Sequence, residues 1–125
     1  MNNEIFQKVF DTIQPVLPIG WKKMILYVGY STDSYSMKFY ISNTQNVFTD
    51  CFSMNGTNKA LLIKTFMNID KLLAPERRAL SGKDRWSVMT LIVDSNGRME
   101  TYFDYTDISE NSIEYERVWK EKFVK

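Results

Sequence analysis

A tight-turn signal in the last third of the chain constrains the fold most. The segment Asp94-Ser95-Asn96-Gly97 separates an apolar run, residues 86–93, from a run of alternating character, residues 99–105. An Asn-Gly pair accommodates the positive φ angles of the favoured hairpin turn, so the spacing predicts two antiparallel strands. In the second strand, alternation places Met99, Thr101, Phe103 and Tyr105 on one face, which is expected to point inward, and Glu100, Tyr102 and Asp104 on the other.

Three further strands precede this hairpin. Residues 21–30 and 35–41 alternate in side-chain character and are joined by the turn-forming segment Ser31-Thr32-Asp33-Ser34. A weaker strand is predicted from about residue 47 to residue 52. Together these strands make an antiparallel meander, which brings the predicted sheet to five strands.

Three helices complete the predicted order. Residues 3–14 and 59–73 place apolar side chains at three- and four-residue spacings, which is typical of helices that pack through one face. Pro75 either ends the second helix or begins a further turn, and Ser109 or Asn111 can cap a third helix. The prediction is an α+β fold in the order αβββαββα, with the helices packed on a five-stranded antiparallel sheet.

Length and composition indicate the class of protein. A chain of 125 residues buries enough surface to form a single domain, residues 1–125. Its one cysteine, Cys51, cannot form an internal disulfide, which fits a reducing compartment and a buried thiol. The N-terminal segment lacks the features of a signal peptide, and no apolar run reaches the ~20 residues that span a bilayer. We therefore expect a cytoplasmic protein with no membrane partner.

The sequence offers few candidates for catalysis. It has no histidine, which removes Ser-His and Cys-His arrangements and, with a single cysteine, the usual zinc sites. Its glycines are scattered and form no phosphate-binding loop. A carboxylate pair such as Asp104 with Asp107 or Glu110 remains for acid–base or Mg²⁺ chemistry, although acids before a helix are more often caps or solvated surface. We expect no enzymatic activity, no metal and no cofactor.

Charge is segregated along the chain although the net charge is only +1. Residues 59–85 hold seven bases and three acids, whereas residues 94–116 hold seven acids and one base. The acidic block indicates a protein that binds a basic partner. Four basic residues just before Trp86 could contact nucleic acid. The chain as a whole has no clear excess of basic residues, however, so we expect no direct nucleic-acid partner. These bases are Arg77, Arg78, Lys83 and Arg85.

The C-terminal third also carries a recognisable pattern. It reads Trp86-x-x-x-Thr90, Asp94-Ser95-x-Gly97, Phe103-Asp104-Tyr105-x-Asp107 and Arg117-x-Trp119-x-x-Lys122-Phe123. This pattern resembles the closing signature of the YezG-like immunity (antitoxin) family, W…T…D-x-x-G…F-D-Y-x-D…R…W…K-Y/F. The N-terminal half agrees more loosely, through Pro18-x-x-Trp21 and Leu26-Tyr27.

The resemblance implies a small α+β protein that is encoded beside a polymorphic secreted toxin and protects the producing cell by binding the toxin domain. Such toxins are often nucleases, and a nuclease presents a basic substrate cleft that carboxylates can occupy as phosphate mimics. The expected partner is therefore a cognate toxin domain, with a nuclease as the expected type. The candidate contacts are one tyrosine and four acids: Tyr102, Asp104, Asp107, Glu110 and Glu114.

Several alternatives stay open at this level. Asp104 and Tyr105 could instead fix the corner between the last strand and the last helix. The chain could be an adaptor or regulatory module that binds an endogenous protein, or it could bind nucleic acid through residues 77–85. An exposed sheet edge also allows a homodimer.

Overall fold

A central antiparallel sheet organises the fold. The computed structural model describes residues 3–43, 47–54 and 56–125. Its strands are β1 (Lys23–Tyr30), β2 (Tyr35–Ser42), β3 (Phe48–Asp50), β4 (Val88–Asp94) and β5 (Met99–Asp104), which pair in the spatial order β3-β2-β1-β4-β5. Its helices are α1 (Asn3–Ile13), α2 (Lys59–Ala79) and α3 (Ser112–Phe123). The predicted α+β class and the order αβββαββα are confirmed.

Strand β1 is the centre of the sheet. It pairs with β2 on one side and with β4 on the other, and both pairings are antiparallel. The strand is buried from Met24 to Tyr30 because helices cover both faces of the sheet. Alternation divides its side chains between two layers, with Leu26 and Val28 on one side and Ile25 and Tyr27 on the other.

The two faces of the sheet carry separate hydrophobic cores. The larger core lies under α1 and α2 and includes Ile13 and Ile69, both fully buried. The smaller core lies under α3, where the Trp119 ring packs against Tyr27 and Tyr40 at centroid distances of 4.9 and 6.0 Å. The protein is therefore built in three layers, with two helices, a sheet and one helix.

Helix α2 is longer than the spacing of its apolar residues predicts. It runs through Pro75 to Ala79, so it does not end at residue 73 and the alternative of a further turn is confirmed. Proline removes one helical hydrogen bond, but the last turn is held from outside. The Arg85 guanidinium donates to the carbonyl oxygens of Arg78 and Leu80 at 2.8–3.1 Å.

Neither α2 nor another helix within the described ranges combines the length and apolarity of a membrane span.

Two predicted strands end earlier than expected. Strand β3 stops at Asp50, whose carboxylate accepts a hydrogen bond from the Phe52 backbone N–H at 2.8 Å and starts a 3₁₀ turn. Strand β5 stops at Asp104. Tyr105 therefore leaves the inward face that alternation assigns to it, and it is 56% exposed. The prediction that Tyr105 lies on the inward face is wrong, because the chain turns away one residue earlier.

Candidate functional site

The candidate contact residues gather mainly at one end of the sheet, which we call the loop end. The strand registers place the β1–β2 turn, residues 31–34, beside the start of β4 and the end of β5. The loop of residues 105–111 leaves β5 at this end and leads into α3. Turn and loop touch, since the hydroxyl oxygens of Thr32 and Ser109 lie 3.0 Å apart.

Asp104 fixes the corner between β5 and the loop. One carboxylate oxygen accepts hydrogen bonds from the Thr106 backbone N–H at 3.0 Å and the Thr106 hydroxyl at 2.9 Å. The other accepts one from the Tyr115 hydroxyl on α3. Partial burial acts to raise the pKa of Asp104, but the hydrogen bonds outweigh it and hold that pKa below its usual value. These contacts support the structural role for Asp104 that the sequence leaves open.

Asp107 and Glu110 present their carboxylates to solvent. Both residues are exposed, and together with Asn111 they line a depression in the loop. The Asp107 carboxylate accepts a hydrogen bond from the Ser109 backbone N–H at 3.0 Å, and this bond lowers the pKa of its carboxyl. The loop thus presents two acidic side chains at its surface.

Glu114 is exposed but already paired. Arg117, one turn further along α3, donates to its two carboxylate oxygens at 2.5 and 3.0 Å and to Glu121 at 2.7 Å. The pairing lowers the pKa of Glu114 and raises that of Arg117. A basic group of a partner would have to displace Arg117 before it could bind Glu114.

Tyr102 lies on the wall of a groove between β5 and α3. Its side chain is 47% exposed, its ring centroid lies 5.7 Å from that of Phe123, and its hydroxyl donates to Glu100 at 2.7 Å. The groove has a volume of about 300 Å³, and Asp104 also lines it. Its walls are mainly apolar and aromatic, formed by Val88, Phe103, Val118, Trp119 and Phe123.

The acidic block of residues 94–116 does not form one patch. Asp94 accepts two hydrogen bonds from backbone N–H groups of the β4–β5 turn at 3.0 Å, at the opposite end of the sheet. Because β5 rises about 3.3 Å per residue, roughly 20 Å separates this turn from the corner at Asp104. Of the acids in this block, Asp107 and Glu110 lie in the loop itself.

A half-buried arginine next to the loop end has a geometry that the sequence does not reveal. The Arg77 guanidinium lies over the rings of Tyr30 and Trp86, 4.9 and 5.8 Å from their centroids. Its Nε donates to the Trp86 carbonyl oxygen at 2.6 Å. Arg85 is likewise engaged at the end of α2, so two of the four bases in the 77–85 cluster hold the chain together.

The single cysteine is buried, as expected. Burial of Cys51 raises the pKa of its thiol to about 11, which keeps it protonated at neutral pH. Within the described ranges, no group of three or more cysteine and acidic residues is placed to hold a metal ion.

The chain is similar to known proteins along nearly its whole length. The family described as "Immunity protein YezG-like" matches residues 2–124. A relative from Bacillus subtilis (strain 168), Immunity protein YezG, is 23% identical over 128 aligned residues, which cover 95% of this chain and 85% of the relative. The resemblance carried by the C-terminal signature is thereby confirmed, and the chain belongs to the YezG-like immunity protein family.

Proposed function

We propose that this protein is a cytoplasmic immunity protein that neutralises a cognate secreted toxin by forming a stoichiometric complex with it. Membership of the YezG-like immunity family supports the antitoxin role. In this proposal the protein acts by binding alone and performs no chemistry. A nuclease is the toxin class that the acidic loop of residues 105–111 favours.

The two exposed carboxylates of the loop carry this proposal. Asp107 and Glu110 line one depression, and the start of their loop is fixed by the hydrogen bonds of Asp104. A nuclease binds its substrate through lysine and arginine side chains, because phosphate contacts dominate nucleic-acid affinity. Carboxylates at defined positions match such a cleft, and their field also speeds association.

The groove beside Tyr102 supports a protein partner for the same face. Aromatic side chains are enriched at protein interfaces and among the residues that contribute most binding energy. Tyr102 is 47% exposed and Val118, across the groove, is 50% exposed. We infer a contact in which Asp107 and Glu110 bind basic side chains of the toxin, while Tyr102 packs against an apolar side chain of the toxin. Asp104 and Glu114 are then neighbours of the contact.

The test uses the toxin domain that this proposal expects to be encoded beside this chain. The double variant Asp107→Lys with Glu110→Lys reverses both loop charges, and we expect it to weaken toxin binding by about 100-fold or more in titration calorimetry. The matched control is Glu4→Lys with Asp11→Lys, which changes the net charge equally on α1, in the layer on the other side of the sheet. We expect that control to bind within about 3-fold of the unmodified chain, because salt screens distant charges.

Survival of cells that express the toxin is the functional readout, with circular dichroism to show that each variant is folded. A loop variant that binds and protects as well as the unmodified chain would show that the acidic contact is wrong. Failure of the unmodified chain to bind the toxin would favour the adaptor alternative. Salt-dependent binding to generic RNA would favour the nucleic-acid alternative.

A further inference from the structure

Arg77 holds a charge that the described part of the chain does not neutralise. Arg77 is half-buried, and this burial and the positive charge of the nearby Arg85 both lower its pKa. No carboxylate in the described ranges lies within 4.0 Å of it, and only its Nε has a hydrogen-bond acceptor there, the Trp86 carbonyl oxygen. A partly buried guanidinium without a counter-ion is costly, so a carboxylate supplied from outside would be bound favourably.

This guanidinium lines a cleft of suitable size and polarity. Arg77 and Arg78 border a cavity of about 340 Å³ together with the β1–β2 turn, whose serine and threonine hydroxyls are further hydrogen-bonding groups. The one acid contributed by α2 is Asp70, which accepts a hydrogen bond from the Tyr30 hydroxyl at 2.6 Å. The cleft can therefore take a small anionic group beside two arginines.

The cleft is continuous with the acidic loop. The β1–β2 turn forms one wall of the cleft and contacts the loop through the hydroxyls of Thr32 and Ser109, 3.0 Å apart. The loop end thus places the cationic side chains of Arg77 and Arg78 on one side of the turn and the loop carboxylates on the other. A partner that covers this end meets both signs of charge.

We propose that the Arg77–Arg78 cleft is a second contact for the toxin and that it takes an aspartate or glutamate side chain of the toxin domain. This inference rests on the proposed function. The planar fork of arginine matches the two oxygens of a carboxylate. A nucleic-acid backbone is a poorer occupant than one carboxylate, because a chain of phosphates brings many negative charges close to Asp33, Asp70 and the adjoining loop carboxylates, whereas a single carboxylate brings one. The two contacts together define orientation, since a partner with the reversed charge order would be repelled.

Arg78 gives the cleanest test. It is exposed, and among the described residues its one hydrogen bond outside the helix is the bond that its carbonyl oxygen accepts from Arg85. The variant Arg78→Glu should weaken toxin binding by about 10-fold or more in titration calorimetry. The matched control is Lys83→Glu, which makes the same charge change at an exposed residue outside the cleft and should cost less than about 3-fold.

Arg77 is tested with a conservative change because it also packs against Trp86. The variant Arg77→Lys keeps the charge and removes the planar fork, so we expect weaker toxin binding. A thermal melt of the same variant shows whether it is still folded. Equal losses for Arg78→Glu and Lys83→Glu, or no loss for Arg78→Glu, would overturn the contact. A 20-nucleotide RNA that competes with the toxin for the unmodified chain, but not for Arg78→Glu, would also overturn it in favour of a phosphate site.

The two proposals fail in different ways. If the loop double variant loses binding and Arg78→Glu binds normally, the cleft contact is wrong and the proposed function stands. If the unmodified chain does not bind the toxin at all, the proposed function is wrong and the cleft contact is wrong with it.

Discussion

The two faces of the sheet are stabilised in different ways. Under α1 and α2, nineteen of the described residues form one buried apolar cluster, and α2 alone buries Leu62, Phe66, Ile69 and Leu73. Under α3, six buried residues form the smaller cluster, and α3 itself buries only Trp119. Most of the burial that stabilises the fold is therefore on the first face.

The face under α3 relies on specific polar contacts instead. The Trp119 indole Nε1 donates to the Thr90 hydroxyl at 2.8 Å, and the Tyr115 hydroxyl donates to Asp104. These contacts place α3 and the acidic loop without covering their outer surface. This protein therefore places most of its apolar burial in one layer and holds the other layer through fewer and more specific contacts.

Removing Trp119 should have the largest effect on this arrangement. The variant Trp119→Ala loses the ring contacts with Tyr27 and Tyr40 and the bond to Thr90. We expect it to lower the free energy of unfolding by about 3–5 kcal/mol. Chemical denaturation measures the loss, and amide hydrogen exchange shows where protection is lost.

The control for this experiment is Leu73→Ala on α2, for which we expect a loss of about 2–5 kcal/mol. If the layers differ as described, Trp119→Ala removes protection first from α3 and Leu73→Ala removes it throughout. Equal patterns in the two variants would contradict a difference between the layers, because α3 would then belong to one cooperative unit with the larger core.

Gly29 is the second point at which the α3 face can be perturbed. A Cβ atom at Gly29 would lie 2.7 Å from the Tyr27 hydroxyl oxygen, so Gly29→Ala must push aside a ring that packs on Trp119. We expect a loss of about 1–3 kcal/mol in the free energy of unfolding. Adding Tyr27→Phe should recover part of this loss, because it removes the atom nearest to the new Cβ. A double variant no better than the sum of the two single losses would contradict this account.

Asp104 should contribute a smaller and pH-dependent share. Its pKa is held below the unfolded value, so its contribution is present above an unfolded pKa of about 3.9 and is lost as the pH falls through the folded pKa. Replacing it by asparagine weakens the acceptors for Tyr115 and Thr106, and we expect Asp104→Asn to cost about 1–2 kcal/mol at pH 7.

Denaturation at pH 7 and at pH 2–3 checks this sign. The difference between the unmodified chain and Asp104→Asn should shrink as the pH falls. Asp33→Asn, at an exposed position of the β1–β2 turn, is the control and should change stability little. A difference that is independent of pH would show that Asp104 does not act through its ionised form.

The sequence predicts the sheet well because alternation within each strand is a local property. It misses the end of α2 because the residue that holds the last turn, Arg85, lies beyond that turn and acts through the folded chain. It misses the outward turn at Tyr105 for a related reason, since the corner depends on the hydroxyl of Tyr115, ten residues further along. Local propensity cannot include contacts of this kind.

The candidate site is predicted less completely than the fold. The count of acids from residue 94 to residue 116 indicates negative charge but not where it lies, and β5 carries Asp94 to the far end of the sheet. The cationic cleft forms only when the chain folds. The position of Arg77 depends on its contacts with Tyr30 and Trp86, which are not its neighbours in the sequence. Composition therefore indicates the sign of the charge in this segment, and only the fold indicates how that charge is arranged.

The smallest effect on stability, and a sharp one on function, is expected at Arg117. Its bonds to Glu114 and Glu121 are exposed ion pairs, and such pairs contribute little to folding. The variant Arg117→Gln should therefore melt like the unmodified chain. It also frees Glu114, so if the loop end meets a basic toxin surface, the association rate should rise about 2- to 5-fold at low salt and the gain should shrink as salt is added.

Stopped-flow association at two salt concentrations measures this change. An unchanged rate would place Glu114 outside the contact and leave Asp107 and Glu110 as its acids, whereas a slower rate would mean that Arg117 itself meets an acidic group of the toxin.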